Sequence, residues 1–457
     1  MRPQPWREAL PWRDPWAVVN AVAGSHGAEG LVWLDGDGSD LGRWGRLGFA
    51  PRHSICCRGL AGSPGSDDPF AALAAIEQQL AAGSEDCSWM GWLAYEAGSW
   101  VEPAAHWKPP QMALLWAGGY SHELVFDLQQ QQLWLESGSQ DTAQQPWLGQ
   151  LRAQIEALPQ QACEAPEAQP SLSPRAWRWH TDPEQFAHQV EQIRQRISSG
   201  DLFQANLTAC CETTLTAAGD DPANTALRLY GRLRQHCPAP FAGLAIGMGG
   251  ASGEAVLCSS PERFLQRDPD GRIETRPIKG TRPRHGDADA DGLAAAELVS
   301  SPKDRAENVM IVDLLRNDLG RVCRTGSIRV PQLCGLESYR QVHHLTSVIE
   351  GELDKAWGIA GLLRACWPGG SISGAPKIRA CQRLAELEPV ARGPYCGSLF
   401  RLGRDGRFDS NIIIRSLMLK EHLLRAHAGC GIVADSDPTG EAEEMGWKLQ
   451  PLLTALG

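Results

Sequence analysis

Apolar residues recur at helical spacing in several stretches, most of them opened by a capping residue and a proline. Asp68-Pro69 supplies an N-cap and a first helical residue. Phe70, Leu73, Ile76 and Leu80 then form a stripe that Gly83 closes. Asp182-Pro183 opens a second helix, with Phe186, Val190, Ile193 and Ile197 on one face and Gly200 as its stop. Ser301-Pro302 opens a third that runs to about Leu319, Pro376 a fourth that ends near Pro389, and Asp437-Pro438 the last. Leu148, Leu151, Ile155 and Leu158 predict one more. Strands are predicted over 241–248, 255–259, 411–417 and 422–428. Hairpin-like strand pairs mixed with long helices, without a regular βαβ alternation, indicate the α+β class.

A chain of 457 residues allows two or three domains. Fourteen of the 17 tryptophans precede residue 180, and the stretch 140–173 is rich in Gln, Ala, Pro and Ser. A linker over 159–174 is therefore expected between an N-terminal region, 1–165, and a second domain, 175–457. The net charge of −11 argues against a nucleic-acid or anionic-membrane partner, though a local basic site leaves an anionic substrate open. No apolar run approaches the roughly 18 residues of a membrane span, and residues 1–10 lack a signal-peptide core, so a cytoplasmic location is expected. The 14 cysteines form no CxxC pair, and two couples, Cys56-Cys57 and Cys210-Cys211, are adjacent. Buried free thiols are expected, without disulfides or a zinc site.

Five segments carry candidate chemistry: Ser260-Pro261-Glu262-Arg263, Pro277-Ile278-Lys279-Gly280-Thr281, the helical stretch 303–308, the glycine-rich turn 368–377, and 431–437. Glu262 follows a predicted strand and is fixed by a proline, which suits a carboxyl projecting into a cleft as a proton donor. From these residues alone, a surface glutamate paired with Arg263 is the better reading. Lys279, flanked by Arg276 and Arg282, suits a nucleophile made partly neutral by burial and nearby cations, or else a carboxylate-binding lysine. Glu307 has Asp304 one turn earlier, and Glu441, Glu444 and Lys448 fall at i, i+3 and i+7. These patterns are also those of solvated helix faces. Gly429-Cys430-Gly431, Gly370-Ser371 and the turn 374–377 let backbone approach an anion, and Arg415 can grip a carboxylate bidentately.

In this order the five segments resemble the chorismate-utilising enzymes, a family that includes anthranilate, aminodeoxychorismate, isochorismate and salicylate synthases. The resemblance is strong from about residue 180 to 455 and weak before it. It implies two packed, mainly antiparallel β-sheets flanked by helices, of the anthranilate-synthase-component-I kind. Anthranilate-forming members usually read Pro-Ile-Ala-Gly-Thr where this chain has Lys279. The lysine form resembles the branch that makes 4-amino-4-deoxychorismate for p-aminobenzoate and folate synthesis.

The resemblance implies that Glu262 protonates the departing C4 hydroxyl of chorismate. Lys279 adds at C2, and ammonia at C4 then expels it. It further implies Mg2+ on Glu307 and Glu444 with Glu441 close by, and His344 near the ring and leaving group. Thr281, Ser371, Tyr395, Arg415, Gly429, Gly431 and Lys448 become substrate contacts. Gln204 stands where water-using members carry a lysine, and Phe400 replaces a usual glycine. A tryptophan pocket is implied around Asp35, Arg43, Trp44, Gly45, Pro240, Phe241 and Ala242, although the serine expected near Asp35 is missing. With no glutaminase signature in the chain, a glutamine amidotransferase subunit is the expected ammonia source. The rival readings are anthranilate synthesis, betrayed by a fluorescent product, and a non-catalytic chorismate- or amino-acid-binding protein. Intact Glu262, Lys279, Glu307, Glu444 and Lys448 speak against the latter.

Overall fold

The computed structural model describes residues 6–83, 86–138, 145–160, 177–215, 221–339 and 342–456. Most of the predicted linker, residues 161–174, lies outside them. Every strand pair is antiparallel, and the strands form two large sheets. The main path of the twelve-stranded sheet runs Trp6–Leu10, Gln132–Ser137, His122–Asp127, Trp44–Gly48, Val32–Asp35, Phe241–Ile246, Glu254–Ser260, Ser416–Lys420, Leu423–Ile432, Gln204–Thr214, Gly374–Ala375. The ten-stranded sheet runs Ile278–Pro283, Val342–Glu352, Arg272–Thr275, Arg263–Arg267, Phe408–Asn411, Ser398–Leu402, Ser88–Leu93, Leu115–Tyr120, His53–Cys57. Both sheets draw strands from each side of residues 161–176.

Side chains alternate across a strand, so the two faces of the larger sheet serve two cores. Ala245 and Val256 join Trp92, Phe264 and Leu399 of the second sheet. Leu244 and Leu257 turn the other way, onto a core that includes Phe186 and Val190 of one helix and Met445 and Leu449 of another. This is a sheet-on-sheet layer with helices outside, the α+β arrangement expected.

The capping signals hold locally. Asp68, Asp182, Ser301 and Asp437 each accept hydrogen bonds from first-turn N–H groups of the helices Pro69–Ala82, Pro183–Ser198, Pro302–Gly320 and Pro438–Thr454. The helix Lys377–Leu387 follows Pro376, and Pro146–Glu156 buries Leu148, Leu151 and Ile155.

One strand prediction is corrected. The run 411–417 is not a single strand: Phe408–Asn411 ends in one sheet and Ser416–Lys420 begins in the other. The β-branched residues Ile412, Ile413 and Ile414 have strand propensity. Their segment instead crosses between the sheets, with Ile412 N–H donating to Glu262 O and Ile413 N–H to Gly397 O. The turn back is made at Arg415, at φ 50°, a left-handed conformation that costs a non-glycine residue about 1 kcal/mol or more.

The described cysteines are free, and all but Cys56 and Cys237 are buried. Among the described residues no helix is long and apolar enough to cross a membrane.

Candidate active site

Lys279 is positioned by a bulge. Ile278–Pro283 pairs with Val342–Glu352, and its register slips between Ile278 and Thr281. Gly280 sits there at φ 83°, a conformation glycine adopts without a Cβ penalty. The slip re-aims Lys279, whose Nζ donates to the Ser371 carbonyl at 3.2 Å. Beyond the bulge Thr281 lies directly opposite His344, and its Oγ1 is 2.9 Å from His344 Nδ1. Burial, reinforced by Arg415, holds His344 down to about 3, so it is neutral. Its Nε2 has no partner.

Glu262 leaves Glu254–Ser260 through Pro261, and its N–H donates to Ser260 Oγ at 3.1 Å. Its side chain is buried, and burial pushes its carboxyl up to about 7 despite a hydrogen bond from Ser371 and the Lys279 charge. A buried carboxyl raised toward neutrality suits a general acid.

Gly431 ends the face of Leu423–Ile432 that meets this cluster. A Cβ there would lie 2.6 Å from Gln204 Nε2, 3.2 Å from Lys279 Nζ and 3.5 Å from a Glu307 oxygen. Only glycine leaves that space for a ligand. Gly429, two residues back, offers its carbonyl to Lys448 Nζ at 3.0 Å, and Lys448 also pairs with Glu444 at 2.7 Å. Arg415 is half-buried; burial holds its guanidinium below the ordinary value, and among the described residues it makes no ion pair. A cation so placed is a ready partner for a substrate carboxylate. Tyr395 stacks on His427 at 4.9 Å.

Three carboxylates face this cluster from two helices. Glu441 Oε1 accepts from Ser436 Oγ at 2.7 Å and pairs with Lys303 at 3.2 Å. Glu307 is pushed upward by burial and by Glu441 and Asp304, against Lys279 and Lys303. Oxygens of Glu441 and Glu444 lie within 4.8 Å of each other and of Cys430 Sγ. Burial pushes the Cys430 thiol up to about 12. The carboxylates are hard oxygen donors of the kind that suit magnesium.

Beneath the site lies a network that sequence reasoning missed. Arg392 pairs with Glu388 at 2.6 Å and donates to the carbonyls of Ile372 and Asn206. Glu96 accepts the N–H groups of Arg392 and Gly393 and is pushed up to about 8 by burial. Glu388 and Arg392 stand at helical spacing but flank Pro389, and nothing in the pattern marks them as buried.

Between the N-terminal strands and the segment 230–259, a cavity of about 340 Å³ is lined by Asp35 and Ala242 together with Asp37, Tyr230 and Arg234. Asp35 is already engaged by Arg234 at 2.6 Å and by Tyr230. The other residues named for a tryptophan pocket do not line this cavity. Arg43 pairs with Asp127 and lies over Trp44, Trp44 meets Trp134, and Gly45 packs on Phe126. Arg263 lies over Phe241, and Pro240 packs beside Gly42.

Two packed antiparallel sheets with a lysine, a proton-holding glutamate and a carboxylate cluster at their junction define a chorismate-enzyme architecture. The chorismate binding enzyme family matches residues 34–454, and the chain belongs to that family. It is 40% identical over 348 residues, 76% of its length and 71% of the relative's, to aminodeoxychorismate synthase component 1 of Klebsiella aerogenes. It is 38% identical to the protein of the same name from Escherichia coli K12, over the same shares. Anthranilate synthase component I of Streptococcus pneumoniae, a solved structure, superposes with a TM-score of 0.72 at 27% identity, covering 90% of this chain and 92% of that one.

Proposed function

We propose that the chain is the amino-transferring component of an aminodeoxychorismate synthase, converting chorismate and ammonia to 4-amino-4-deoxychorismate for p-aminobenzoate and folate synthesis. The observation that carries this reading is Lys279, held by the bulge beside Ser371, Gly431 and Glu307 in a chain similar to relatives of that name. In this reading Arg415 and the backbone at Gly429 and Gly431 bind the substrate carboxylates. Lys279 adds at C2 while Glu262 gives its proton to the departing C4 hydroxyl, so water leaves. Ammonia then attacks C4, and the electron pair of the C2–N bond returns the lysine amine. His344, neutral and fixed by Thr281, borders the ring. Dividing one displacement into two is the gain of covalent catalysis.

Glu307 and Glu444, with Glu441 beside them, would hold a magnesium ion that offsets the charge of a substrate carboxylate. An amidotransferase subunit, component II, supplies ammonia from glutamine. The Asp35 cavity is the place for bound tryptophan or a similar amino acid.

Anthranilate formation is the second reading, favoured by a 40% match over 283 residues to anthranilate synthase component 1 of Streptomyces coelicolor. Incubation with chorismate, magnesium and an ammonium salt, followed by mass spectrometry, tests both readings. Aminodeoxychorismate supports the first, and fluorescent anthranilate overturns it.

A further inference from the structure

The short turn Gly370–Ile372 serves both reacting groups. Ser371 offers its carbonyl to Lys279 Nζ at 3.2 Å and its hydroxyl to the Glu262 carboxyl. A turn this short makes few hydrogen bonds of its own; the Ser373 N–H reaches the Gly370 carbonyl only at 3.4 Å. Where Ser371 stands therefore depends on what grips the turn from beneath.

Arg392 is buried there. Its Nη1 donates to the carbonyl of Ile372, next to Ser371, at 2.8 Å, and its Nη2 to the carbonyl of Asn206 at 2.7 Å. Asn206 stands directly opposite Gly431, where a Cβ would lie 3.2 Å from Lys279 Nζ. One planar guanidinium thus spans two walls that meet Lys279, the turn and the strand pair. Its other edge is closed by Glu388, which accepts from Nε at 2.8 Å and from Nη2 at 2.6 Å. Glu388 is itself fixed by the Thr208 N–H at 3.1 Å. The guanidinium lies over Tyr95 at 4.6 Å, and the Arg392 N–H donates to Glu96 at 2.7 Å. A rigid fork can hold a carboxylate and two carbonyls at set separations; the compact head of a lysine cannot.

We propose that Arg392 is a positioning residue: it sets the distance of the Ser371 turn from the Gly431 wall, and through Ser371 the aim of Lys279 and Glu262. This rests on the reading of those two as the reacting groups. The test uses the full chain with chorismate, magnesium and a saturating ammonium salt, as wild type, Arg392→Lys, Ser371→Ala and the two combined, with kcat and KM followed across pH. The lysine keeps a cation beside Glu388 but releases the two carbonyls. With the turn loosened, the Ser371 hydroxyl no longer steadies the Glu262 anion, so the acid form persists to higher pH. The alkaline limb of the kcat profile should move up by about one pH unit, the worth of one hydrogen bond to a charged group. At its optimum kcat should fall roughly ten- to a hundredfold. KM for chorismate should stay within about twofold, because the grip on the substrate carboxylates is untouched. Ser371→Ala should move the limb in the same direction, and adding Arg392→Lys to it should move the limb no further. A lower kcat with an unmoved limb would make Arg392 a support of the fold alone and overturn the proposal, as would shifts that add in the combined variant. Should Arg392→Lys fail to fold, Arg392→Met with Glu388→Leu, an apolar replacement of the buried pair, takes its place with the same readouts. A wild-type chain that makes no aminated product from ammonium, or whose kcat shows no alkaline limb near 7, overturns the underlying reading instead.

Discussion

Replacing Glu262 with glutamine removes a proton donor and also relieves a cost. Burial raises this carboxyl from its ordinary 4.5 to about 7. In the unfolded chain it ionises near 4.5, whereas the native protein holds its proton to about 7. Below 4.5 both states are protonated and the group contributes no difference. Between 4.5 and 7 the unfolded chain sheds a proton the native state keeps, so wild-type stability falls with rising pH and levels off above 7. Each pH unit in that window is worth about 1.4 kcal/mol, which puts the full effect at about 3 kcal/mol. Glutamine does not titrate. Urea unfolding of wild type and Glu262→Gln at pH 5 and pH 8 should show the variant gaining about 3 kcal/mol on wild type across that interval. Its turnover of chorismate with saturating ammonia should fall by about 10²–10⁴-fold, the usual worth of a general acid. Wild-type turnover should decline as pH rises through about 7, as the acid form is lost. A stability difference that ignores pH, or a variant that keeps wild-type turnover, would refute both the buried-acid argument and the role.

Three further outcomes are expected. Glu307→Ala should lose nearly all activity with the fold intact, and wild type should lose activity in EDTA and regain it with magnesium; full activity of the variant in EDTA would remove the metal assignment. Gly431→Ala should fold normally yet lose about a hundredfold in turnover, because its Cβ would stand 2.6 Å from Gln204 Nε2 and 3.2 Å from Lys279 Nζ; a wild-type rate would place the substrate elsewhere. Glu388→Gln should cost about 3–5 kcal/mol in urea unfolding, since it leaves Arg392 buried without its anion; a loss under about 1 kcal/mol would mean the pair is solvated.

Helix starts were legible because capping is local chemistry: an Asp or Ser before a proline satisfies first-turn N–H groups wherever the helix packs. The candidate site segments were legible through their order and their resemblance to a family; the bulge at Gly280 that positions Lys279 was not. Nor was the crossing at 412–415. Ile412, Ile413 and Ile414 satisfy strand propensity equally well in one sheet or between two, and their choice rests on Glu262 and Gly397, distant in sequence. The Glu96–Arg392–Glu388 network was hidden for the same reason. Charged residues are usually exposed, and only the assembled sheets reveal that these bury. The Asp35 cavity shows a third limit: Asp35 and Ala242 meet across paired strands, while Arg43 turns to Asp127.

The central claim is that Lys279 bonds covalently to the substrate, and peptide mass mapping tests it most directly. Wild-type protein is held with chorismate and magnesium, without ammonia, then digested. The account predicts a peptide containing Lys279 that carries the substrate's mass less water, absent from Lys279→Ala, which should also lose aminodeoxychorismate formation by orders of magnitude. An adduct on another residue, or a Lys279→Ala variant that turns over at the wild-type rate, would contradict it.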